Sequence, residues 1–371
     1  MTATLSVTVL TSSAETDGAR VIERLLRDPD GLRITAIVPR RGQPQQSPRS
    51  QVSLLPTTER LVRLGEGCAC CTVRGDLMSK IEQIVDEQSA DHIVIQAAPS
   101  SDLVTIAKTF TVANAAGSML SEVARIESMV AVVDARRLLA TLQTTSARSL
   151  IARIELANVI VIVGVGELTP ASAERVQAVL EALNPAARIA RGDNEHFAIS
   201  SLRSEHPFDL KTAQRGPAQL ERARSTSDLI VPFVYHDRRP FHPTRLHTLL
   251  TEPLDGVLRV QGTFWVASRP SHAGILDVAG GSRSTASGGM WWASVPPEQR
   301  PSSEAFQDYI DAIWHPAFGD RHQELTIIGL DIDEDDLQSR LDQCLLTDEE
   351  LAKPEHWPEL PHPFSWPKES A

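Results

Sequence analysis

Met129-Val130-Ala131-Val132-Val133 and, further along, Val159-Ile160-Val161-Ile162-Val163 decide the fold. Both are unbroken apolar runs rich in β-branched residues. A strand with one face in water alternates apolar and polar side chains, whereas a strand covered on both faces does not, and that second pattern belongs to parallel sheets. A helical stretch lies between the two runs. Working outward, Leu5 to Leu10 is a further β-rich run, and Ala19 to Leu26 follows with helical spacing at Val21, Ile22, Leu25 and Leu26. Ile34 to Val38 and Asp91 to Ala97 read as two more strands, and Thr72 to Gln88 as a helix through Leu77, Ile81, Ile84 and Val85. Strands separated by helices in this order predict a doubly wound α/β sheet, with ligands at the carboxyl ends of the strands. Pro39 to Pro56 and the polar stretch Arg203 to Asp228 read as a loop and a linker.

A chain of 371 residues exceeds what one core organises, so two domains are expected. The boundaries read as 1–225 for the α/β domain, 226–350 for a smaller α+β domain, and 351–371 for a flexible tail rich in Pro, Glu and Trp. In the second domain, Ile230 to Tyr235, Val257 to Val266, Met290 to Val295 and Leu325 to Leu330 are strand candidates. Leu246 to Leu250 and Glu334 to Leu345 are helix candidates. Trp265, Trp291, Trp292 and Trp314 read as core and edge packing, with ligand stacking as the alternative. Arg238, Arg239, His242, Arg245 and His247 form a local basic concentration, either a solvated face or an anion- or protein-binding patch.

The net charge of −12 opposes direct binding of nucleic acid and favours a basic protein partner. No run approaches eighteen apolar residues, and the amino terminus lacks a basic segment followed by an apolar one. A cytoplasmic protein with no membrane contact is therefore expected. Four cysteines in this length make no disulfide framework.

Three of those four, Cys68, Cys70 and Cys71, fall within Gly67-Cys68-Ala69-Cys70-Cys71. Thiolates are soft ligands suited to Zn²⁺, and a tetrahedral site would take three sulfurs and one more donor. Along an extended strand Cys68 and Cys70 share a face and Cys71 does not, so convergence needs a turn, which Gly65 and Gly67 permit. Glu66 is the nearest fourth ligand, and a distant histidine or Cys344 is the alternative. The competing reading is a set of buried or redox-active thiols.

The string Glu66-Gly67-Cys68-Ala69-Cys70-Cys71-Thr72-Val73-Arg74-Gly75-Asp76-Leu77 resembles the metal-binding segment of the CobW family of P-loop GTPases, which handle zinc and cobalt. Asp102 to Phe110, Met129 to Ala135 and Ile154 to Pro170 are similar to successive stretches of that family's nucleotide domain. Arg238 to Pro243, Gly262-Thr263-Phe264-Trp265 and Phe318 to Leu325 are similar to stretches of its carboxyl-terminal domain. The resemblance implies a P-loop-type fold and a Zn²⁺ site at Glu66, Cys68, Cys70 and Cys71.

Three departures weigh against the family's chemistry. Where the family has G-x-x-x-x-G-K-[ST], this chain has Thr11 to Ala19, with Gly18 and Ala19 at the Lys and Ser/Thr positions and Glu15 and Asp17 nearby. One misplaced unit charge at roughly 4 Å costs about 4 kcal/mol at an effective dielectric near 20. Gln96-Ala97-Ala98-Pro99 stands in place of E-[ST]-[ST]-G, and Val163-Gly164-Val165-Gly166 in place of the guanine-reading N-K-x-D, with Glu167 one position late. Binding of GTP and Mg²⁺ is therefore not expected. The chain resembles a degenerate actinobacterial branch associated with zinc limitation and with bringing a hibernation factor to zinc-depleted ribosomes. That implies a non-hydrolysing, zinc-responsive adaptor whose partner is a ribosome hibernation factor or the small ribosomal subunit. A GTP-dependent zinc metallochaperone with atypical nucleotide contacts, and a thiol redox protein, are the alternatives.

Overall fold

The computed structural model describes residues 4–39, 59–64, 72–99, 101–113, 117, 119–214, 230, 232–252 and 254–366. The chain forms two compact units, residues 1–139 with 152–223, and residues 140–151 with 224–371.

The first unit runs β1 (Leu5–Ser12), α1 (Glu15–Arg27), β2 (Ile34–Pro39), β3 (Glu59–Leu64), α2 (Thr72–Asp86), β4 (His92–Gln96) and α3 (Leu103–Thr109). It continues through β5 (Ala124–Asp134), α4 (Ala135–Leu142), α5 (Ala147–Leu156), β6 (Val159–Val163), α6 (Pro170–Leu183), β7 (Arg188–Arg191) and α7 (Leu210–Ala213), with the end of α4 and the start of α5, residues 140–151, grouping with the second unit. The strands make one seven-stranded sheet in the order β3-β2-β4-β1-β5-β6-β7, with parallel pairing throughout. The apolar runs that mark the fold are covered on both faces. Val7, Val9, Ile93, Ile95 and Met129 join Leu77, Ile81 and Ile106 from α2 and α3 on one side. Leu10, Val94, Val130, Val132, Val159 and Val161 join Val21, Ile22, Leu25 and Leu26 from α1 on the other. Side chains alternate across each strand, so one sequence supplies two cores. Each such buried aliphatic residue contributes roughly 1.5 to 3 kcal/mol over leaving it in water.

The second unit contains β8 (Phe233–Asp237), α8 (Pro243–Thr251), β9 (Val257–Phe264), β10 (His272–Ala279), β11 (Ser282–Met290), α9 (Glu304–Ile313), β12 (Gln323–Gly329), α10 (Glu334–Asp342) and α11 (Asp348–Leu351). Its sheet is antiparallel, in the order β11-β10-β9-β12-β8. Leu246 and Leu249 of α8 and Leu337 and Leu341 of α10 cover the face formed by Tyr235, Val260, Phe264, Leu276 and Leu325. Gly262 is required at the β9–β12 contact, where a Cβ would lie 1.9 Å from the carbonyl oxygen of Glu324. Gln323, fully buried, accepts from the Trp265 amide at 3.0 Å and donates to the carbonyls of Arg239 and Trp265 at 2.7 and 3.0 Å.

The structure departs from the sequence reading in three places. Met290 to Val295 is not a strand: β11 ends at Met290, and the buried Asp320 carboxylate takes the amides of Trp292 and Ala293, each at 2.8 Å, into a 3₁₀ turn. The β10–β11 hairpin, turning at Gly280-Gly281, was not expected at all. Residues 351–366 are not a loose tail. Trp357 donates to the Glu350 carbonyl at 3.0 Å, and Phe364 and Trp366 are buried against Phe264 with ring centroids at 5.6 and 5.5 Å. Phe364 and Trp366, two positions apart in a bent segment, stack on each other at 5.0 Å and both pack against Phe264, and that burial outweighs the polar composition around them. Among the described residues no helix is long and apolar enough to cross a membrane.

Candidate functional site

In a doubly wound sheet the ligand crevice lies beyond the carboxyl ends of the strands, where neighbouring connections diverge. Here that region is bounded by the ends of β1, β4, β5, β6 and β7. α1 begins at Glu15, earlier than the spacing from Ala19 indicated, so only Ser13 and Ala14 separate it from β1. A phosphate cradle needs a longer run of inward-pointing amides. Ser12 Oγ instead donates to the Ala14 carbonyl at 2.7 Å, and Gln96 Nε2 at the end of β4 donates to the Glu15 carbonyl at 3.1 Å. The helix packs so closely that a Cβ on Gly18 would sit 2.9 Å from both Gln96 Nε2 and Ser12 Oγ. Glu15 and Asp17 occupy the first turn, and Ala14 provides no side-chain cap.

Arg153, on α5, is nine-tenths buried. It donates to Ser13 Oγ at 3.3 Å and to the Pro99 carbonyl, tying the turn after β1 to the segment after β4. Burial pulls its guanidinium below the ordinary arginine pKa. It has no carboxylate partner among the described residues.

At the ends of β5 and β6, Arg136 is the organising group. Its Nε and backbone amide donate to Asp134 Oδ1 at 2.9 and 3.0 Å, and a terminal nitrogen meets Asp134 Oδ2 at 2.8 Å. The other terminal nitrogen holds both Glu167 oxygens at 2.8 and 3.0 Å. The Asp134 side chain is only 6% exposed, and the guanidinium holds its carboxyl below the usual range while its own pKa is raised. Gly164, at φ +75°, makes room for this clamp, because a Cβ there would lie 2.8 Å from Arg136 Nε. Glu167 is therefore spent on an ion pair rather than presented to a base edge. The Val165 amide donates to Asp193 Oδ2 at 3.1 Å, and Arg24 of α1 donates to the carbonyls of Gly192 and Asn194.

What remains open is a cleft of about 380 Å³ lined by Asp17, Arg20, Arg24, Arg136, Glu167 and Asp193 among others. Carboxylates and guanidinium groups are equal in number among those six. Arg20 is exposed and makes no ion pair among the described residues. Arg136 and Arg153 had not been singled out in the sequence. Their partners lie up to 140 positions away, and no local pattern marks them.

The proposed metal ligands Glu66, Cys68, Cys70 and Cys71 lie outside the described residues. Among the described residues no group of three or more His, Cys, Asp or Glu is placed to hold a metal. Cys344 does not offer itself as a fourth ligand: its thiol is buried in the second unit, bonded to the Arg340 carbonyl at 3.3 Å, and burial pushes its pKa up to about 11. The basic stretch in that unit is partly neutralised internally. Arg245 pairs with Glu350 at 2.7 Å and Arg239 with Asp348 at 2.8 Å, while His242 Nδ1 accepts from the Arg245 amide to cap α8.

Seven parallel strands between two helical layers, with the first βα turn near the middle of the sheet, define an α/β protein of P-loop GTPase type, followed by a smaller antiparallel unit. The comparisons narrow that class. Residues 7–191 match the CobW/HypB/UreG nucleotide-binding domain, and residues 230–345 match the cobalamin synthesis protein cobW C-terminal domain. The chain belongs to the CobW family. It is 30% identical over 332 residues, 84% of this chain and 80% of the relative, to a Mycobacterium tuberculosis protein named zinc chaperone Rv0106. It is also 30% identical over 322 residues, 79% of this chain and 67% of the relative, to zinc-regulated GTPase metalloprotein activator 1 of Dictyostelium discoideum. The zinc-bound YjiA GTPase of E. coli aligns over 93% of this chain and 100% of its own, at 15% identity and a TM-score of 0.41.

Proposed function

We propose that this protein is a zinc-responsive adaptor that does not hydrolyse nucleotide, and that it recruits a basic ribosome hibernation factor to ribosomes when zinc is scarce. The observation that carries the reading is the Arg136 clamp on Asp134 and Glu167, which ties up the charged groups at the base-reading end of the crevice. The closed turn at Ser13-Ala14, held by Ser12 and Gln96, supports it from the phosphate end. The relatives named for zinc support the metal, and three thiols with a neighbouring carboxylate form a donor set suited to Zn²⁺. Bound there, zinc would supply a charge and a cross-link that could favour one of two conformations, the requirement for any ligand-driven switch. Without turnover, one adaptor acts per partner.

Sedimentation of lysates from zinc-starved cells through sucrose gradients tests the reading. The protein is expected with ribosomal particles or a hibernation factor, and less so after zinc is restored. Confinement to the soluble fractions in both conditions, with no such protein co-purifying, contradicts it. A second reading, a GTP-dependent zinc metallochaperone, is favoured by the open cleft with its exposed Arg20 and by the relative named zinc-regulated GTPase metalloprotein activator 1.

A further inference from the structure

α9 carries a surface that the described residues leave uncovered. At about 100° per residue, Ala305, Phe306, Tyr309, Ile310, Ala312 and Ile313 span an apolar arc of about 160°. One half of that arc is packed: Ile310 is buried, Phe306 and Ile313 are partly so, and Phe306 stands edge-on to Trp292 with centroids at 4.8 Å. The other half, Ala305, Tyr309 and Ala312, faces solvent, with Tyr309 at 55% exposure. Just past the helix, Trp314 is exposed beneath the Arg300 guanidinium, 5.1 Å from its ring, and Met290 is 52% exposed two residues before Trp292. Single exposed apolar residues are ordinary, but an uncovered half-face of an amphipathic helix marks an interaction site.

Charge identifies the occupant. Glu304, Asp308 and Asp311 form the stripe beside the open half-face, all exposed and without an ion pair among the described residues. Phosphate groups would be repelled there, which disfavours RNA. A second copy of this chain would bring a like-charged stripe and another −12 of net charge. The geometry points to α9 as the docking surface for a basic protein, which lays the apolar side of an amphipathic helix over Tyr309 and sets lysines or arginines against Asp308, Asp311 and Glu304. This deepens the adaptor reading and rests on it for the partner's role. Tyr309 supplies the large amphipathic anchor typical of interface centres, and the carboxylates supply steering and register.

The test places a photo-crosslinking phenylalanine analogue at position 309 of the full chain in zinc-starved cells, with the same group at the exposed Gln177 of α6 as a control. Crosslinking from 309 to a protein of net positive charge is expected. The double variant Asp308→Lys with Asp311→Lys should cut that yield at least ~10-fold, with an unchanged thermal midpoint. Yield at 309 no higher than at 177, a crosslink to a second copy of the chain, or a yield unaffected by the charge reversals would overturn the assignment. The two proposals fail separately. Co-sedimentation with ribosomes but silence at 309 removes only the docking surface, and a charge-dependent crosslink to a basic protein unconnected with ribosomes removes only the hibernation role.

Discussion

Acidification should weaken the first unit through His92. This residue opens β4 and is 3% exposed, with Nε2 2.9 Å from Thr8 Oγ1. Burial pulls the imidazole pKa from 6.5 down to about 4; Glu127 opposes the shift and Arg203 adds to it. In the unfolded chain the ring titrates normally, so between these two values the unfolded state binds the proton that the folded state refuses. Stability is therefore untouched well above pH 6.5 and falls as the pH drops from there toward 4. At 1.36 kcal/mol per pH unit the whole gap amounts to roughly 3 kcal/mol, of which roughly 2 kcal/mol is lost by pH 5. That is a sizeable share of the 5 to 15 kcal/mol typical of a domain. Urea denaturation at pH 7.5 and pH 5, with wild type and His92→Gln, measures it. The glutamine keeps a partner for Thr8 but cannot titrate, so its stability should fall by about 2 kcal/mol less over that interval. His362→Gln serves as a control, since that histidine is also held at about 4 but belongs to the second unit. Equal losses in wild type and His92→Gln would show that burial of His92 does not set the acid limit.

Phe364→Ala should lower the stability of the second unit by roughly 3 kcal/mol, as expected for removing a buried ring; a change within 0.5 kcal/mol would mean the carboxyl-terminal segment is not docked. Arg136→Ala should lower the thermal midpoint, because it leaves the buried Asp134 carboxylate with only the more distant and largely exposed Arg137 at 3.6 Å, and Asp134→Asn in the same chain should restore part of the loss. Variants melting together with wild type would dismiss the clamp. Reduced, metal-free protein should bind about one Zn²⁺, releasing protons as the thiols ionise, and replacing Cys68, Cys70 and Cys71 by serine should abolish the proton release and the binding. Unchanged titration of the triple variant would place the site elsewhere.

The fold was legible where burial is continuous. The Met129–Val133 part of β5 and the whole of β6 are apolar without a break because helices cover both faces, and their β-branched content and short length favour strands over helices. β11 was not legible because it is an edge strand of serine, threonine and glycine, held by backbone pairing to β10 and by Arg148 bonded to Ser282 and Ser284 rather than by apolar burial. The docked Phe364 and Trp366 were hidden by the prolines and charges around them, which set composition but not contact. At the site, what is missing could be read directly: no lysine between β1 and α1, no carboxylate in Gln96-Ala97-Ala98-Pro99, no aspartate in Val163-Gly164-Val165-Gly166. What replaces it could not, since the Arg136 clamp and the Arg153 tie depend on distances that only the folded sheet brings about.

In this crevice the groups that would hold a nucleotide are replaced by carboxylates and by ion pairs among the protein's own side chains. Calorimetric titration of the zinc-loaded, full-length chain with GTP in the presence of Mg²⁺ tests it most directly. The account predicts no saturable heat into the millimolar range, because Glu15 and Asp17 put carboxylates in the first turn of α1 and Arg136 is committed to Asp134 and Glu167. A dissociation constant below about 100 μM, roughly −5.5 kcal/mol of binding free energy, would contradict it and favour the GTP-dependent metallochaperone.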